Sequence, residues 1–179
     1  MRRYILTGAP GAGKTAILRQ LELDGFSVVE EAATDVIAGR QAQGIERPWN
    51  DDSFLDAIAR LQRERQMRAS CQAEEIQFHD RSVVCTAALA VYLGRPISAL
   101  LAAELERVRQ EAIFERRVFF IGNLGFVTPT EARRITFEET LRFEKIHEET
   151  YRAMDFELIP IEPGSVAERA ARIKEIVRR

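Results

Sequence analysis

The chain has 179 residues, of which 46% are hydrophobic and 30% are charged, and its formal net charge is −2. This length and composition are typical of one globular domain, and we expect residues 1–179 to form a single domain. The near-neutral charge excludes a strong general attraction to nucleic acid or to an anionic membrane. No apolar run is long enough to span a bilayer, and the first one ends too early for a signal peptide, so we expect a cytoplasmic protein.

Five short apolar runs predict β-strands, and helical patterns separate them. The runs cover residues 4–7, 26–29, 76–79, 117–121 and 156–161. Most of them lack polar alternation, which is typical of strands that are covered on both faces, as in a parallel sheet. Alternating strands and helices therefore predict an α/β fold that is built from βαβ units.

Six helices are predicted before the last strand, and a seventh follows it. The six cover residues 14–23, 32–43, 51–73, 82–92, 100–114 and 137–154. The seventh begins at Ser165, and Glu168 stands three residues later. This spacing predicts a capping box, in which each side chain satisfies a free amide at the start of the helix.

The segment LTGAPGAGKTAIL, residues 6–18, contains the pattern G-x-x-x-x-G-K-[ST]. Its glycines allow backbone amides to turn inward around an anion, and the helix that follows adds its positive end. We expect Lys14 to reach the β- and γ-phosphates and the Thr15 hydroxyl to bind Mg²⁺. The nucleotide-binding residues predicted from this phosphate loop are Gly8, Ala9, Pro10, Gly11, Ala12, Gly13, Lys14, Thr15 and Ala16.

The motifs of two other classes of P-loop protein are missing. A Ras-like GTPase carries N-K-x-D and D-x-x-G, and the sequence contains neither. An AAA+ motor usually has a strand that ends in Asp-Glu, whereas the candidate strand here ends in Phe78-His79-Asp80 and continues with Arg81. No motif that reads the base separates ATP from GTP, and ATP is the nucleotide that we expect.

Charged side chains follow the second and third predicted strands. Glu30-Glu31 follow the second strand, and Asp80-Arg81-Ser82 follow the third. Functional residues gather at these strand ends in parallel sheets. A kinase needs a carboxylate for the acceptor's proton and arginines for the charge of the transferring group. Adjacent strand residues face opposite ways, so only one glutamate can easily face such a site, and the pattern leaves open which one.

Five segments in a fixed order carry a family resemblance: GAPGAGKT, VVEEAATDVI, PWNDDSF, FHDRS and EARRITFEE. Together they resemble the small P-loop AAA-family ATPases of the NadR/Ttd14 type, which are kinase-like proteins related to nicotinamide riboside kinase and to deoxynucleoside kinases. The similarity runs from residue 4 to residue 176. It implies a three-layer α/β sandwich with a five-stranded parallel sheet of order 2-3-1-4-5, helices on both faces and a lid over about residues 122–140.

The resemblance also implies roles for individual residues. Glu31 corresponds to the general base of the nucleoside-kinase relatives. Asp80 would hold the Mg²⁺ shell or assist the base, and Arg81 would contact a phosphate or the acceptor. Arg133 and Arg134 resemble lid arginines that close over the nucleotide. The expected catalytic residues are Lys14, Glu31, Asp80, Arg81, Arg133 and Arg134, and the expected metal ligands are Thr15 and Asp80.

These features predict an ATP-dependent kinase that transfers the γ-phosphoryl group to the hydroxyl of a small, nucleoside-like molecule. The alternative is a nucleotide-dependent ATPase or GTP-binding regulatory protein that has no small-molecule acceptor. The identity of the acceptor and the oligomeric state are open. Two isolated histidines form no metal cluster: we expect His79 to pack in the core and His147 to face solvent.

Overall fold

The protein is described by a computed structural model that covers residues 1–71, 74–123 and 137–178. The strands are β1 (Arg2–Thr7), β2 (Ser27–Val29), β3 (Ile76–Asp80), β4 (Arg117–Ile121) and β5 (Glu157–Ile161). They form one sheet of order β2-β3-β1-β4-β5, in which every neighbouring pair is parallel. The predicted strand order is confirmed, and the strand that precedes the phosphate loop is central.

The register of the sheet brings the charged strand ends together. Leu6 of β1 lies opposite Asp80 of β3, and Val29 of β2 lies opposite His79 of β3. The residues that follow β1, β2 and β3 therefore leave the sheet at the same edge. The phosphate loop, the glutamate pair and Arg81 emerge there side by side.

Helices cover both faces of the sheet. They are α1 (Lys14–Leu23), α2 (Ala33–Ala42), α3 (Phe54–Ala69), α4 (Val83–Tyr92), α5 (Ala99–Gln110), α6 (Phe137–Ala153) and α7 (Val166–Arg178). Tyr4 and Leu6 point to one face and pack with residues of α1 and α7. Ile5 points to the other face and packs with residues of α3, α4, α5 and α6. The sheet thus separates two apolar cores, which explains why its strands lack polar alternation.

Three predicted helix boundaries are wrong by three residues or more, and one of them is the end of α3, which lies at Ala69 rather than at residue 73. Helix α3 begins at Phe54 rather than at residue 51, because the Asp51 carboxylate accepts hydrogen bonds from the Ser53 amide (2.7 Å) and hydroxyl (2.6 Å) and forms a turn before the helix. Helix α5 ends at Gln110 rather than at residue 114, and Ala112 just beyond it adopts φ +45°. A residue with positive φ ends a helix because it cannot continue the right-handed spiral.

The predicted capping box at α7 is confirmed. The Ser165 amide donates to Glu168 Oε2 (2.9 Å), and the Glu168 amide donates to Ser165 Oγ (3.3 Å). In the part of the chain that the structure describes, none of the helices has the length and apolar character that crossing a membrane requires.

Candidate nucleotide and acceptor site

The phosphate loop connects β1 to α1 by way of backbone conformations that favour glycine. Gly8 adopts φ +128°, and a Cβ at this position would lie 2.5 Å from the carbonyl oxygen of Ile121. Gly13 caps α1 with φ +86°. The first turn of α1 carries no acidic side chain, and its amides have no partner within the helix. Their partial positive charge is therefore directed at the loop.

The Lys14 side chain folds back into the loop. Its Nζ donates to the carbonyl oxygens of Gly8 (3.1 Å) and Ala9 (2.7 Å), and the residue is only 6% exposed. Burial, and after it the positive charge of Arg81, lowers the pKa of Lys14 to about 7. Two carbonyl oxygens compensate a buried ammonium poorly, so an anionic group in the loop would be a better partner.

Thr15 and Asp80 present oxygen atoms next to each other at the end of the loop. Thr15 Oγ1 donates to Asp80 Oδ2 over 2.9 Å. Asp80 is 4% exposed, and within the described residues its buried Oδ1 has no hydrogen-bond partner. Burial raises the pKa of Asp80. A hydroxyl and a carboxylate with an unused oxygen are ligands that Mg²⁺ prefers, so these two residues fit a magnesium ion.

Of the two glutamates after β2, Glu31 lines the cavity beside the phosphate loop. Thr34 Oγ1 donates to its Oε2 (2.7 Å), and Arg81 Nε lies 2.9 Å from its Oε1. Glu30 points away, and its half-exposed side chain forms an ion pair with Arg19 of α1. The residue pattern left this choice open, and the structure turns Glu31 toward the cavity.

Arg81 lies between β3 and α4 in the left-handed region, at φ +70°. Its backbone amide donates to the carbonyl oxygen of Leu6 (3.0 Å), which fixes the chain beside β1. Its side chain is 10% exposed and reaches Glu31 with Nε and the ring of His147 with Nη1, the latter over 3.0 Å. The guanidinium therefore has partners on both sides, Glu31 after β2 and His147 on α6, and its side chain also interacts with Cys85 of α4.

The expectation that His147 faces solvent is wrong, because the residue is 0% exposed. Its ring packs edge-on against Phe143, with 4.3 Å between the ring centres, and its Nδ1 lies 2.9 Å from the Phe143 carbonyl oxygen. Burial, and after it the charge of Arg81, lowers the pKa of His147 to about 3. Phe143, His147 and Tyr151 are spaced four apart, and this helical period was the signal for a shared buried face.

A cavity of about 250 Å³ extends from the phosphate loop to the space between α2, α3, α4 and α6. Thr15, Glu31, Asp80 and Arg81 line its polar end. The side chains that form its apolar walls are Ile37, Ile58, Leu89 and Phe143. The cavity therefore has a charged part beside the phosphate loop and an apolar part formed by side chains of α2, α3, α4 and α6.

Gln62 and Thr86 add polar atoms to the apolar part, and neither residue was predicted from the sequence. Thr86 Oγ1 donates to Gln62 Oε1 over 2.8 Å, and both residues line the cavity. Gln62 follows Ile58 by four residues, which places it on the same face of α3. That spacing was the available signal, but it does not by itself distinguish a cavity residue from an exposed one.

His79 is buried as predicted, with 3% exposure, and its ring meets Phe114 edge-on at 5.0 Å. Arg133 and Arg134 lie outside the described residues, as does most of the predicted lid over residues 122–140. Among the described residues, no group of three or more metal-ligating side chains forms a separate metal site.

The fold is similar to solved structures of deoxyadenosine kinase from M. mycoides. The structure with bound dATP matches with a TM-score of 0.66 and 14% identity over 100% of both chains. The structure with dCMP and dCDP bound matches with a TM-score of 0.64 and 14% identity over 98% of both chains. No curated protein matches the sequence. The family model described as AAA domain matches residues 3–169, and the chain therefore belongs to this AAA domain family.

Proposed function

We propose that this protein is a magnesium-dependent kinase that transfers the γ-phosphoryl group of ATP to a hydroxyl of a nucleoside-like acceptor. One observation carries the proposal: a single cavity joins the phosphate loop, the Glu31 carboxylate and an apolar pocket that contains an amide. Within the AAA domain family, we propose the NadR/Ttd14 type, because three of the five segments that carry that resemblance supply the charged residues of this cavity. These segments are GAPGAGKT, VVEEAATDVI and FHDRS.

On the donor side, the loop amides and Lys14 bind the phosphates. Lys14 Nζ exchanges the Gly8 and Ala9 carbonyl oxygens for phosphate oxygens, which are charged and therefore stronger acceptors. Thr15 and Asp80 would hold Mg²⁺, which supplies charge neutralisation for the phosphates and orients them. GTP fits the same loop, because every contact named here is made to phosphate.

On the acceptor side, Glu31 takes the proton of the attacking hydroxyl. The acceptor oxygen bonds to the γ-phosphorus while the bond from that phosphorus to the bridging oxygen breaks. ADP leaves with the electron pair of that bond. Arg81 lies beside Glu31, so its positive charge is available to the oxygens of the transferring group.

The apolar part of the cavity supports a flat, neutral acceptor with polar edges. Ile37, Ile58, Leu89 and Phe143 offer apolar surface on which a ring can pack. The Gln62 amide offers both a donor and an acceptor to the edge of such a ring. The similarity to a deoxyadenosine kinase supports the same class of acceptor, since that enzyme was solved with deoxynucleotides bound.

Arg133 and Arg134 complete the proposal as arginines of a lid over about residues 122–140, within one domain that spans the chain. Their support is the sequence resemblance and the general need for cations around a transferring phosphoryl group. A lid that excludes water also favours transfer to the acceptor over hydrolysis.

The test is transfer of labelled phosphate from ATP to a panel of purine and pyrimidine nucleosides. Glu31→Gln should bind ATP with unchanged affinity in calorimetry and lose transfer by about a hundredfold or more, because it cannot accept the proton. The matched control is Glu30→Gln, the neighbouring residue that points away from the cavity, and it should transfer phosphate at the wild-type rate.

Two results would contradict the proposal. Tight ATP binding without a phosphorylated product from any nucleoside would favour the regulatory alternative. Equal losses of transfer from the two glutamate variants would show that Glu31 has no special role as a base.

A further inference from the structure

We propose that His147 is a positioning residue for Arg81, an inference that rests on the proposed function. A neutral imidazole nitrogen on α6 accepts a hydrogen bond from Arg81 Nη1 and keeps the guanidinium beside Glu31 at the phosphate end of the cavity. His147 acts through Arg81 and does not line the cavity itself.

The hydrogen bonds of His147 define which ring nitrogen carries the proton. The Phe143 carbonyl oxygen, 2.9 Å from Nδ1, can only accept, so Nδ1 carries the hydrogen. Arg81 Nη1, 3.0 Å from Nε2, can only donate, so Nε2 offers its lone pair. Both nitrogens of the fully buried ring are satisfied in this one tautomer.

Glu31, which also pairs with Arg81, changes its charge during the proposed reaction, whereas His147 does not. Arg81 Nε is paired with Glu31 Oε1 over 2.9 Å. When Glu31 takes the acceptor's proton it loses its negative charge, and the ion pair weakens. The hydrogen bond to His147 does not depend on that charge, so it holds Arg81 at the moment when the guanidinium is needed.

A neutral partner also preserves the charge of Arg81. A second carboxylate at the position of His147 would cancel the positive charge that the phosphoryl group requires. An apolar side chain there would leave a buried guanidinium donor without a partner. Imidazole in its neutral form avoids both effects.

Helix α6 holds the ring in place. Tyr151, one turn beyond His147, is completely buried, and its hydroxyl lies 3.0 Å from Ser82 Oγ and 3.1 Å from Cys85 Sγ at the start of α4. Phe143, one turn before, packs against the ring and forms part of the cavity wall. The same face of α6 thus anchors to α4 and presents His147 to Arg81.

The test compares His147→Leu, which removes the acceptor, with His147→Gln, whose amide oxygen can replace Nε2. In the nucleoside phosphorylation assay, His147→Leu should lower kcat about ten- to hundredfold, with KM for ATP changed less than about threefold. His147→Gln should recover most of that loss. Lys145→Ala is the matched control on the exposed side of α6, where the lysine side chain is 79% exposed, and it should leave kcat unchanged.

A double-mutant cycle separates positioning from a general effect on folding. In an Arg81→Ala background, His147→Leu should cause no further loss of kcat, because its target is gone. Equal losses from the Leu and Gln variants would overturn the proposal. An undiminished effect of His147→Leu in the Arg81→Ala background would overturn it as well.

Ring-nitrogen NMR keeps this inference separate from the proposed function. The spectrum of the ¹⁵N-labelled wild-type protein should show His147 with a protonated Nδ1 and a bare Nε2, and Arg81→Ala should shift the Nε2 signal. The opposite tautomer, or an Nε2 signal that does not shift in Arg81→Ala, would refute the hydrogen bond between Arg81 and His147. Confirmed NMR signals without phosphoryl transfer would instead refute the proposed function and the role of the contact in catalysis.

Discussion

Acidification should destabilise the protein through His147. The chain contains only two histidines, and both are buried. Burial, and after it the charge of Arg81, lowers the pKa of His147 to about 3, whereas an unfolded histidine titrates near 6.5. Below pH 6.5 His147 therefore binds a proton in the unfolded state but stays neutral in the folded state. The stability that the neutral His147 contributes is fully present above pH 6.5 and is lost as the pH falls toward 3.

The size of the loss in unfolding free energy follows from the distance between the folded and unfolded pKa values of His147. Each pH unit inside it costs about 1.4 kcal/mol for one proton, so the step from pH 6.5 to pH 5 removes about 2 kcal/mol through His147. Other groups titrate as well, but they cancel when the wild type is compared with His147→Gln. Between pH 6.5 and pH 5, urea unfolding should show that the variant loses about 2 kcal/mol less stability than the wild type.

Proton NMR provides a direct check of the same reasoning. The folded protein without a histidine tag should show two ring C2–H signals, from His79 and His147. The signal that disappears in His147→Gln should keep its chemical shift from pH 8 to pH 5. A midpoint near pH 6.5 for that signal would show that the ring is solvated and would refute the burial argument.

Three further predictions concern the phosphate loop and the proposed lid. Gly8→Ala should lower the free energy of unfolding by more than about 2 kcal/mol, because it adds strain at φ +128° and a Cβ 2.5 Å from the Ile121 carbonyl oxygen, and an unchanged urea midpoint would contradict this. Lys14→Met should weaken ATP binding at least tenfold in calorimetry, because the phosphates lose a cationic partner. The variant should not lose stability, because the substitution removes a buried charge. Retained affinity would show that the lysine does not contact phosphate. Arg133→Ala combined with Arg134→Ala should lower kcat more than tenfold with little change in the Kd for ATP, and unchanged kinetics would remove both arginines from the mechanism.

The strands and the phosphate loop were predictable from sequence because they depend on local patterns, whereas the sheet order was implied by the family resemblance. Apolar runs mark the strands, and the glycine spacing of the loop is required by backbone geometry at positions such as Gly8 and Gly13. The charged strand ends were predictable for a similar reason: a parallel sheet brings the carboxyl ends of its strands to one edge. The direction in which Glu31 points could be seen only in the structure. It depends on which partners the two adjacent carboxylates find: Glu30 pairs with Arg19, and Glu31 pairs with Thr34 and Arg81.

Contacts between distant parts of the chain were not predictable. His147 is surrounded in sequence by glutamates, which suggested an exposed face, yet α6 packs on α4 and buries it against Arg81, 66 residues away. The position of Gln62 was also not predictable, because its partner Thr86 lies on a different helix. In both cases the four-residue spacing to an apolar neighbour was visible, but choosing the buried face required knowledge of the partner helix.

The charge balance of the cavity supports a role for cations from elsewhere in the chain. Among the described residues that line it, Lys14 and Arg81 carry positive formal charge, and Glu31 and Asp80 carry negative formal charge, so the charges are balanced before a nucleotide binds. Magnesium neutralises only part of a triphosphate, and bound nucleotide therefore adds net negative charge to a largely buried site. The amides at the start of α1 offset some of it. The remainder calls for further positive charge near the phosphates, which is the role proposed for Arg133 and Arg134.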